Sequence, residues 1–273
     1  GGQMDRIVVG MDSSRSAVDA LRWAVGLAGG LDATVTALNT FEHPGGRTTP
    51  EQLQTLLTER RAALASWVES ADPGQRRVTP AVQVGDPREV LLTGAEEIDA
   101  ELLVLGRTGA GGEPGFLHIG SVVEHAAHHG TTPLAVIPQG SPSPPRRIVL
   151  GVDGSDESMA AVEWVRSIAA LEPSVAAVQV LEPYLEWTPA VSPDNWRRQV
   201  ESNIEEWCAP LADASIPVIP IAQRALRPAN GILGVASASG ADLVVVGTRG
   251  IGGFSGLRTG GVALKVLHQA AVP

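Results

Sequence analysis

The sequence predicts an α/β fold in two tandem copies, each a doubly wound parallel sheet. Three observations carry this. Short apolar runs without period-two alternation are interleaved with helical patterns, as in parallel strands covered on both faces. The stretch LLVLGRTGAGGEPGFLHIGS, from Leu102 to Ser121, returns as LVVVGTRGIGGFSGLRTGG from Leu243 to Gly261. Gly106, Gly109, Gly111, Gly112 and Gly115 are matched at the same spacings by Gly247, Gly250, Gly252, Gly253 and Gly256. The strand that opens each half also repeats, as RIVVGMD ending at Asp12 and RIVLGVD ending at Asp153. A pattern kept at one register marks a duplicated unit.

In the first half, Arg6 to Asp12 reads as a buried strand closed by a carboxylate. Ser13 or Ser14 caps the helix that follows, which carries Ala17, Leu21, Ala24, Val25 and Ala28 at helical spacing and stops at Gly29-Gly30. Thr34 to Phe41 is rich in β-formers and makes the second strand. A loop leads to a helix from about Pro50 to Ser70, with Leu53, Leu56, Leu57, Leu64 and Trp67 on its apolar side. Val78 to Val84 is the third strand. Asp86-Pro87 supplies an N-cap and a first-turn proline for a helix through Ile98. Leu102 to Leu105 is the fourth strand, Ser121 to His129 a helix, and Leu134 to Ile137 the fifth strand. Gln139 to Pro145 is a Pro/Ser linker. The domains expected are therefore 4–138 and 147–273, joined by 139–146.

The second half repeats this order. Strands are expected at Arg147 to Asp153, Val175 to Leu181, Val218 to Gln223 and Leu243 to Val246. Helices follow the first strand (Trp164 matching Trp23), span Asn195 to Ala214, open at Pro228, and run from Gly261 to Ala270. Ala271-Val272-Pro273 falls where a fifth strand would begin, so the second sheet is expected to lack its last strand here or to be completed by another chain.

Composition narrows the function. At 273 residues the chain suits two ordinary domains. A net charge of −10 argues against a nucleic-acid or anionic-membrane surface as main partner. Lys265 is the sole lysine, so the Gly-Lys-Ser/Thr of a P-loop is absent. Cys208 stands alone, which excludes an internal disulfide and suits a reducing compartment. No secretory leader or membrane-length apolar run is visible, and a soluble, cytoplasmic protein is expected.

An apolar strand feeding a glycine-rich loop and then a helix converges backbone N–H groups on an anion, and in doubly wound sheets ligands sit at the carboxyl ends of strands. Asp12 and Gly106 end the first and fourth strands and can face one crevice. Asp12 and Asp153 also read as helix caps, but their recurrence beside a glycine-rich turn favours a hydroxyl or amine ligand. Arg107 and Arg249 lie in the loops, where they can pair with phosphate or stay exposed. His125 and His129, one turn apart, invite a metal reading. No cysteine accompanies them and Glu124 is the sole adjacent carboxylate, so no metal site is expected. Cys208 beside Trp207 reads as a packed small hydrophobe.

These residues resemble the universal stress protein family in tandem two-domain form, over Met4 to Pro138 and Arg147 to Pro273. The resemblance implies flavodoxin-like, adenine-nucleotide alpha hydrolase-like domains that often dimerise through the fifth strand. Its ATP-binding members carry Gly, two residues, Gly, nine residues, then Gly-Ser/Thr, with an Asp at the end of the first strand. Carried over, Asp12 contacts ribose or adenine, while Gly106, Gly109, Gly120 and Ser121 contact phosphate. Asn39-Thr40, and Leu181-Glu182 in the second half, sit where the family offers backbone to adenine. Asp153, Gly247, Gly250 and Gly260 are the second set. Gly85, Pro87 and Val90 are family-typical, and in the second half Leu226 replaces the Gly while Pro228 remains.

Each half departs once from that pattern. Ten residues, Ala110 to Ile119, separate Gly109 from Gly120, and Glu113-Pro114 places a carboxylate near the phosphate path. The second half keeps nine, but Gly261 replaces the Ser/Thr. The function implied is a non-catalytic ATP-binding regulator of the stress response, acting as a homodimer. The alternatives are a slow ATPase, with a metal held by Ser121 and an acid such as Glu113, and an interaction module acting through dimerisation. Unequal occupancy is expected, with the first crevice favoured for ATP with Mg2+ because Asp12 and Ser121 are both present.

Overall fold

Nine strands and nine α-helices are laid out as alternating elements in a computed structural model that describes residues 2–42, 49–73, 77–109, 119–181, 193–250 and 259–273. The chain divides into two compact units, Met4–Pro144 and Pro145–Pro273. Among the described residues no helix is long and apolar enough to cross a membrane.

The first unit runs β1 (Arg6–Met11), α1 (Arg15–Leu31), β2 (Thr34–Phe41), α2 (Pro50–Ala71), β3 (Val78–Val84), α3 (Pro87–Glu97), β4 (Leu102–Gly106), α4 (Ser121–His129) and β5 (Leu134–Ile137). The sheet order is β3-β2-β1-β4-β5, and every pairing is parallel. Val8, Val9, Val35, Ala37 and Val104 are fully buried, as expected of strands with helices on both faces. Leu91 of α3 reaches the space beside Gly10, and Leu38 of β2 the space beside Gly94, so α3 covers the face that carries these even-numbered positions. Ser14 caps α1, its hydroxyl accepting the Ala17 N–H at 3.1 Å. Part of the Pro/Ser linker lies along α1, where the Ser143 hydroxyl donates to the Trp23 carbonyl at 2.7 Å.

The second unit runs β6 (Arg147–Gly151), α5 (Asp156–Ser167), a 3-10 turn (Ala169–Leu171), β7 (Ser174–Leu181), α6 (Pro193–Trp207), α7 (Ala209–Asp213), β8 (Val218–Arg224), α8 (Pro228–Ser239), β9 (Leu243–Val246) and α9 (Gly261–Gln269). Its parallel sheet has the order β8-β7-β6-β9. The Val244 N–H donates to the Pro273 carbonyl at 2.8 Å, as Leu103 N–H donates to Pro133 in the first unit, also at 2.8 Å. Pro273 therefore stands where β5 is about to start in the first unit.

The single long helix expected over Asn195 to Ala214 is two. It breaks at Cys208, because Pro210 lacks an N–H and occupies the first turn of α7. One device visible only in the structure starts the first strand of each unit. The Glu101 carboxylate accepts the Asp5 and Arg6 N–H groups at 2.6 and 3.0 Å. In the second unit Asp242, just ahead of β9, accepts those of Arg146 and Arg147 at 2.9 and 2.8 Å.

Candidate functional site

At the carboxyl end of β1 the chain turns into α1, and at the end of β4 it turns into the glycine-rich loop. The two turns interlock. A Cβ on Gly106 would lie 2.6 Å from Ser16 C and Oγ, so only glycine lets β4 end against the first turn of α1. The Ser16 hydroxyl accepts the Thr108 N–H at 3.4 Å. The Asp12 carboxylate folds over its own helix start, Oδ1 accepting the Ser14 N–H at 2.9 Å. Its Oδ2 lies 3.0 Å from where a Cβ on Gly109 would be, so the carboxylate borders the second glycine of the loop.

The far end of the loop returns to the same point. Gly120 N–H donates to the Arg107 carbonyl at 2.9 Å, which closes the loop's neck. Ser121 then opens α4, exposed, and α4 has no side-chain cap bond. Asp12, Gly106, Gly109, Gly120 and Ser121 are thus brought together. The loop between the two ends, with Gly111, Glu113-Pro114 and His118, lies outside the described residues.

The second unit repeats the arrangement. A Cβ on Gly247 would lie 2.7 Å from the Glu157 C and O atoms, and one on Gly250 would overlap Asp153 Oδ2. Asp153 Oδ1 accepts from the Ser155 N–H at 3.0 Å and the Ser155 hydroxyl at 2.6 Å. Gly260 N–H donates to the Thr248 carbonyl at 2.6 Å. Gly261 opens α9 with nothing within 4 Å of where its Cβ would be. Gly252, like the rest of that loop, lies outside the described residues.

The two arginines are not equivalent. With Gly106 matching Gly247, Arg107 matches Thr248 and Arg249 matches Thr108. Arg107 is a buried residue, and burial pushes its guanidinium below the ordinary range. Arg249 pairs with Glu157, in the first turn of α5, at 2.5 Å.

Sheet register corrects two further assignments. Met11 pairs with Asn39 in the β1–β2 ladder, and Gly151 with Val178 in the β6–β7 ladder. Asn39 and Thr40 therefore correspond to Gln179 and Val180, not to Leu181 and Glu182. The Leu181 carbonyl accepts the Ala225 N–H at 3.3 Å and so faces β8. In the first unit the Phe41 carbonyl likewise accepts the Gly85 N–H at 2.9 Å, so Thr40, one residue earlier, turns its backbone toward the β1 side. The same bonds make Ala225, not Leu226, the counterpart of Gly85. Leu226 is an extra residue of that turn and two-thirds exposed.

Asn39 is buried, and its Nδ2 donates to the Met11 carbonyl at 2.8 Å. Its Oδ1, like Gln179 Oε1 in the second unit, is a buried acceptor with no hydrogen-bond partner among the described residues. Gln179 went unread in the sequence, since nothing but the ladder register aligns it with Asn39.

Around α3 and α4 the first unit carries acid. Asp86 caps α3, accepting the Arg88 N–H at 2.9 Å, and its carboxylate pairs with the Arg88 guanidinium at 2.6 Å. The Arg88 hydrogen bonds hold that carboxyl at about 2. His125 Nε2 lies 3.2 Å from Glu89 Oε1, and the His125 and His129 rings stack at 4.2 Å. Among the described residues no group of three or more His, Cys, Asp and Glu is placed to hold a metal ion. Cys208 is buried, and burial pushes its thiol up to about 11.

Two doubly wound units, each with a carboxylate against a glycine turn at the end of its first strand, define a duplicated α/β protein. The chain belongs to the universal stress protein family, whose model matches residues 4–138 and 145–273. A universal stress protein of Mycolicibacterium smegmatis is 26% identical over 287 residues, covering 98% of this chain and 95% of its own length. One from Mycobacterium tuberculosis is 31% identical over 191 residues, and the match spans 63% of this chain and 57% of that relative's length. The crystal structure of a universal stress protein from Archaeoglobus fulgidus shares the fold with a TM-score of 0.73 at 16% identity, covering 99% of this chain and 97% of that one.

Proposed function

We propose that each unit binds an adenine nucleotide, ATP in particular, and that the chain acts as a non-catalytic regulator in the stress response. One observation carries this. In both units the strand-end carboxylate borders the second glycine of the loop, while the loop's two ends close on one another through a backbone hydrogen bond. Such a closed turn presents N–H groups to phosphate beside a carboxylate suited to ribose hydroxyls. The hydroxyl of Ser121 and the carboxylate of Asp12 are oxygen donors of the kind that fit a magnesium ion arriving with the nucleotide.

The chemistry of the described residues favours recognition over hydrolysis. Arg107 is buried and Arg249 is engaged by Glu157, so neither loop arginine is set to stabilise transferred charge. We also take the protein to be a cytoplasmic homodimer, following the edge pairing that the family resemblance implies. Light scattering at micromolar concentration tests this, and the mass of one chain would overturn it.

Mass spectrometry of freshly purified protein, denatured without dialysis, tests the main reading. Co-purified ATP is the expected result. ADP alone would favour a slow ATPase, and the absence of nucleotide an interaction module.

A further inference from the structure

The two glycine turns are joined to their helices by different chemistry at one matched pair of positions. A Cβ on Gly106 would meet Ser16 and one on Gly247 would meet the Glu157 backbone, so Ser16 and Glu157 are counterparts in the first turns of α1 and α5. Thr108 and Arg249 are counterparts two residues beyond those glycines. In the first unit the contact is neutral, the Ser16 hydroxyl accepting the Thr108 N–H at 3.4 Å. In the second it is ionic, the Arg249 guanidinium meeting the Glu157 carboxylate at 2.5 Å.

Charge near the pair differs in the same sense. The first turn of α1 holds no acid and begins with Arg15, whereas that of α5 holds Asp156 and Glu157. Asp153 adds a third carboxylate, its Oδ2 against Gly250, the residue after Arg249. In the stretches Asp153 to Glu157 and Gly247 to Gly250, Arg249 is the sole basic residue. The Arg249 and Glu157 side chains are 41% and 27% exposed, so a ligand arriving from solvent can reach them. A pair this open contributes little, because water screens it and both side chains lose freedom in holding it. A phosphate offers the guanidinium the same two-oxygen acceptor with more charge.

We infer that Glu157 and Arg249 form a charge latch on the second unit. The carboxylate neutralises the arginine in the unliganded protein, and the phosphate of an anionic ligand binds by displacing it. Glu157 is thus a competitor for the phosphate's place. It makes binding in the second unit depend on ligand charge in a way that the neutral Ser16–Thr108 contact does not impose on the first. The inference rests on reading the second turn as a nucleotide site.

Hydrogen exchange of the full chain, read by mass spectrometry at stepped ligand concentrations, tests this. Peptides covering β6 to α5 report the second unit by itself, with ATP as the charged probe and adenosine as the uncharged one. Glu157→Gln should tighten ATP binding there by about fivefold, the most that an exposed pair holds back, and leave adenosine unchanged. Glu157→Ala should give the same gain, so the outcome does not hang on one variant. Arg249→Gln should weaken ATP binding about tenfold, with adenosine again unchanged. In the Arg249→Gln background Glu157→Gln should bring no further gain, since the carboxylate competes only for that arginine. ATP affinity unaltered by Glu157→Gln and Glu157→Ala would overturn the inference and leave the nucleotide reading standing. A gain that persists without Arg249 would also overturn it, because Glu157 would then act by simple repulsion. Failure of the parent protein to show protection with either probe would overturn the nucleotide reading of this unit, and the inference with it.

Discussion

Gly261→Ser restores to the second unit the hydroxyl that Ser121 supplies in the first. The structure sets its cost. Gly261 is the first residue of α9, it is not among the positive-φ glycines, and nothing lies within 4 Å of where its Cβ would be. Serine is a better helix residue than glycine by about 0.5 kcal/mol, so stability should hold or rise by a degree or two in melting temperature. The gain is one hydroxyl donor toward a charged phosphate oxygen, worth about 1–3 kcal/mol when the bond is made. At about 1.4 kcal/mol per decade, ATP affinity in the second crevice should rise by roughly tenfold. Calorimetry with ATP reads this directly, and Ser121→Gly should produce the reverse loss in the first crevice. A Gly261→Ser protein of parental melting temperature whose ATP affinity stays within about twofold of the parent would refute the placement of Gly261 at the phosphates.

Gly106→Ala should destabilise the first unit by about 1–3 kcal/mol, because the added Cβ meets the Ser16 backbone at 2.6–2.7 Å; urea unfolding measures it. The Asp86 carboxyl titrates at about 2 in the folded protein against an ordinary value of 3.8, so its stabilising effect is complete above pH 4 and is lost as pH falls through 2. In urea melts, the deficit of Asp86→Asn relative to the parent should therefore be constant near neutrality and shrink between pH 4 and pH 2. Cys208, buried with its thiol at about 11, should resist a thiol reagent in native protein at pH 8 and react fully in denaturant. Rapid native labelling would contradict its packing.

Much of this architecture is legible in the residues. Apolar runs such as Ile7 to Val9 and Leu102 to Leu105 admit few structures other than buried parallel strands, and the paired glycines fix the two turns because Gly106 and Gly247 tolerate no Cβ. The correspondence between the units proved harder to read, since single-residue shifts hide in loops. Leu226 is such an insertion, and the ten-residue loop before Gly120 is another. Aligning strands by their apparent ends pairs Asn39 with Leu181, whereas the ladder pairs it with Gln179. Hydrogen bonds decide that register, and they join residues far apart in the chain. The break at Cys208 was written in Pro210, but the apolar pattern ran through it. The clamps at Glu101 and Asp242 carry no local pattern, since each acts across about 95 residues.

The central claim is that these crevices hold an adenine nucleotide. Titration of the full chain with ATP and magnesium, alongside Asp12→Ala and Asp153→Ala, tests it most directly. Saturable ATP binding weakened by each substitution is the predicted result. Binding that neither aspartate alters, or no binding up to millimolar ATP, would contradict it.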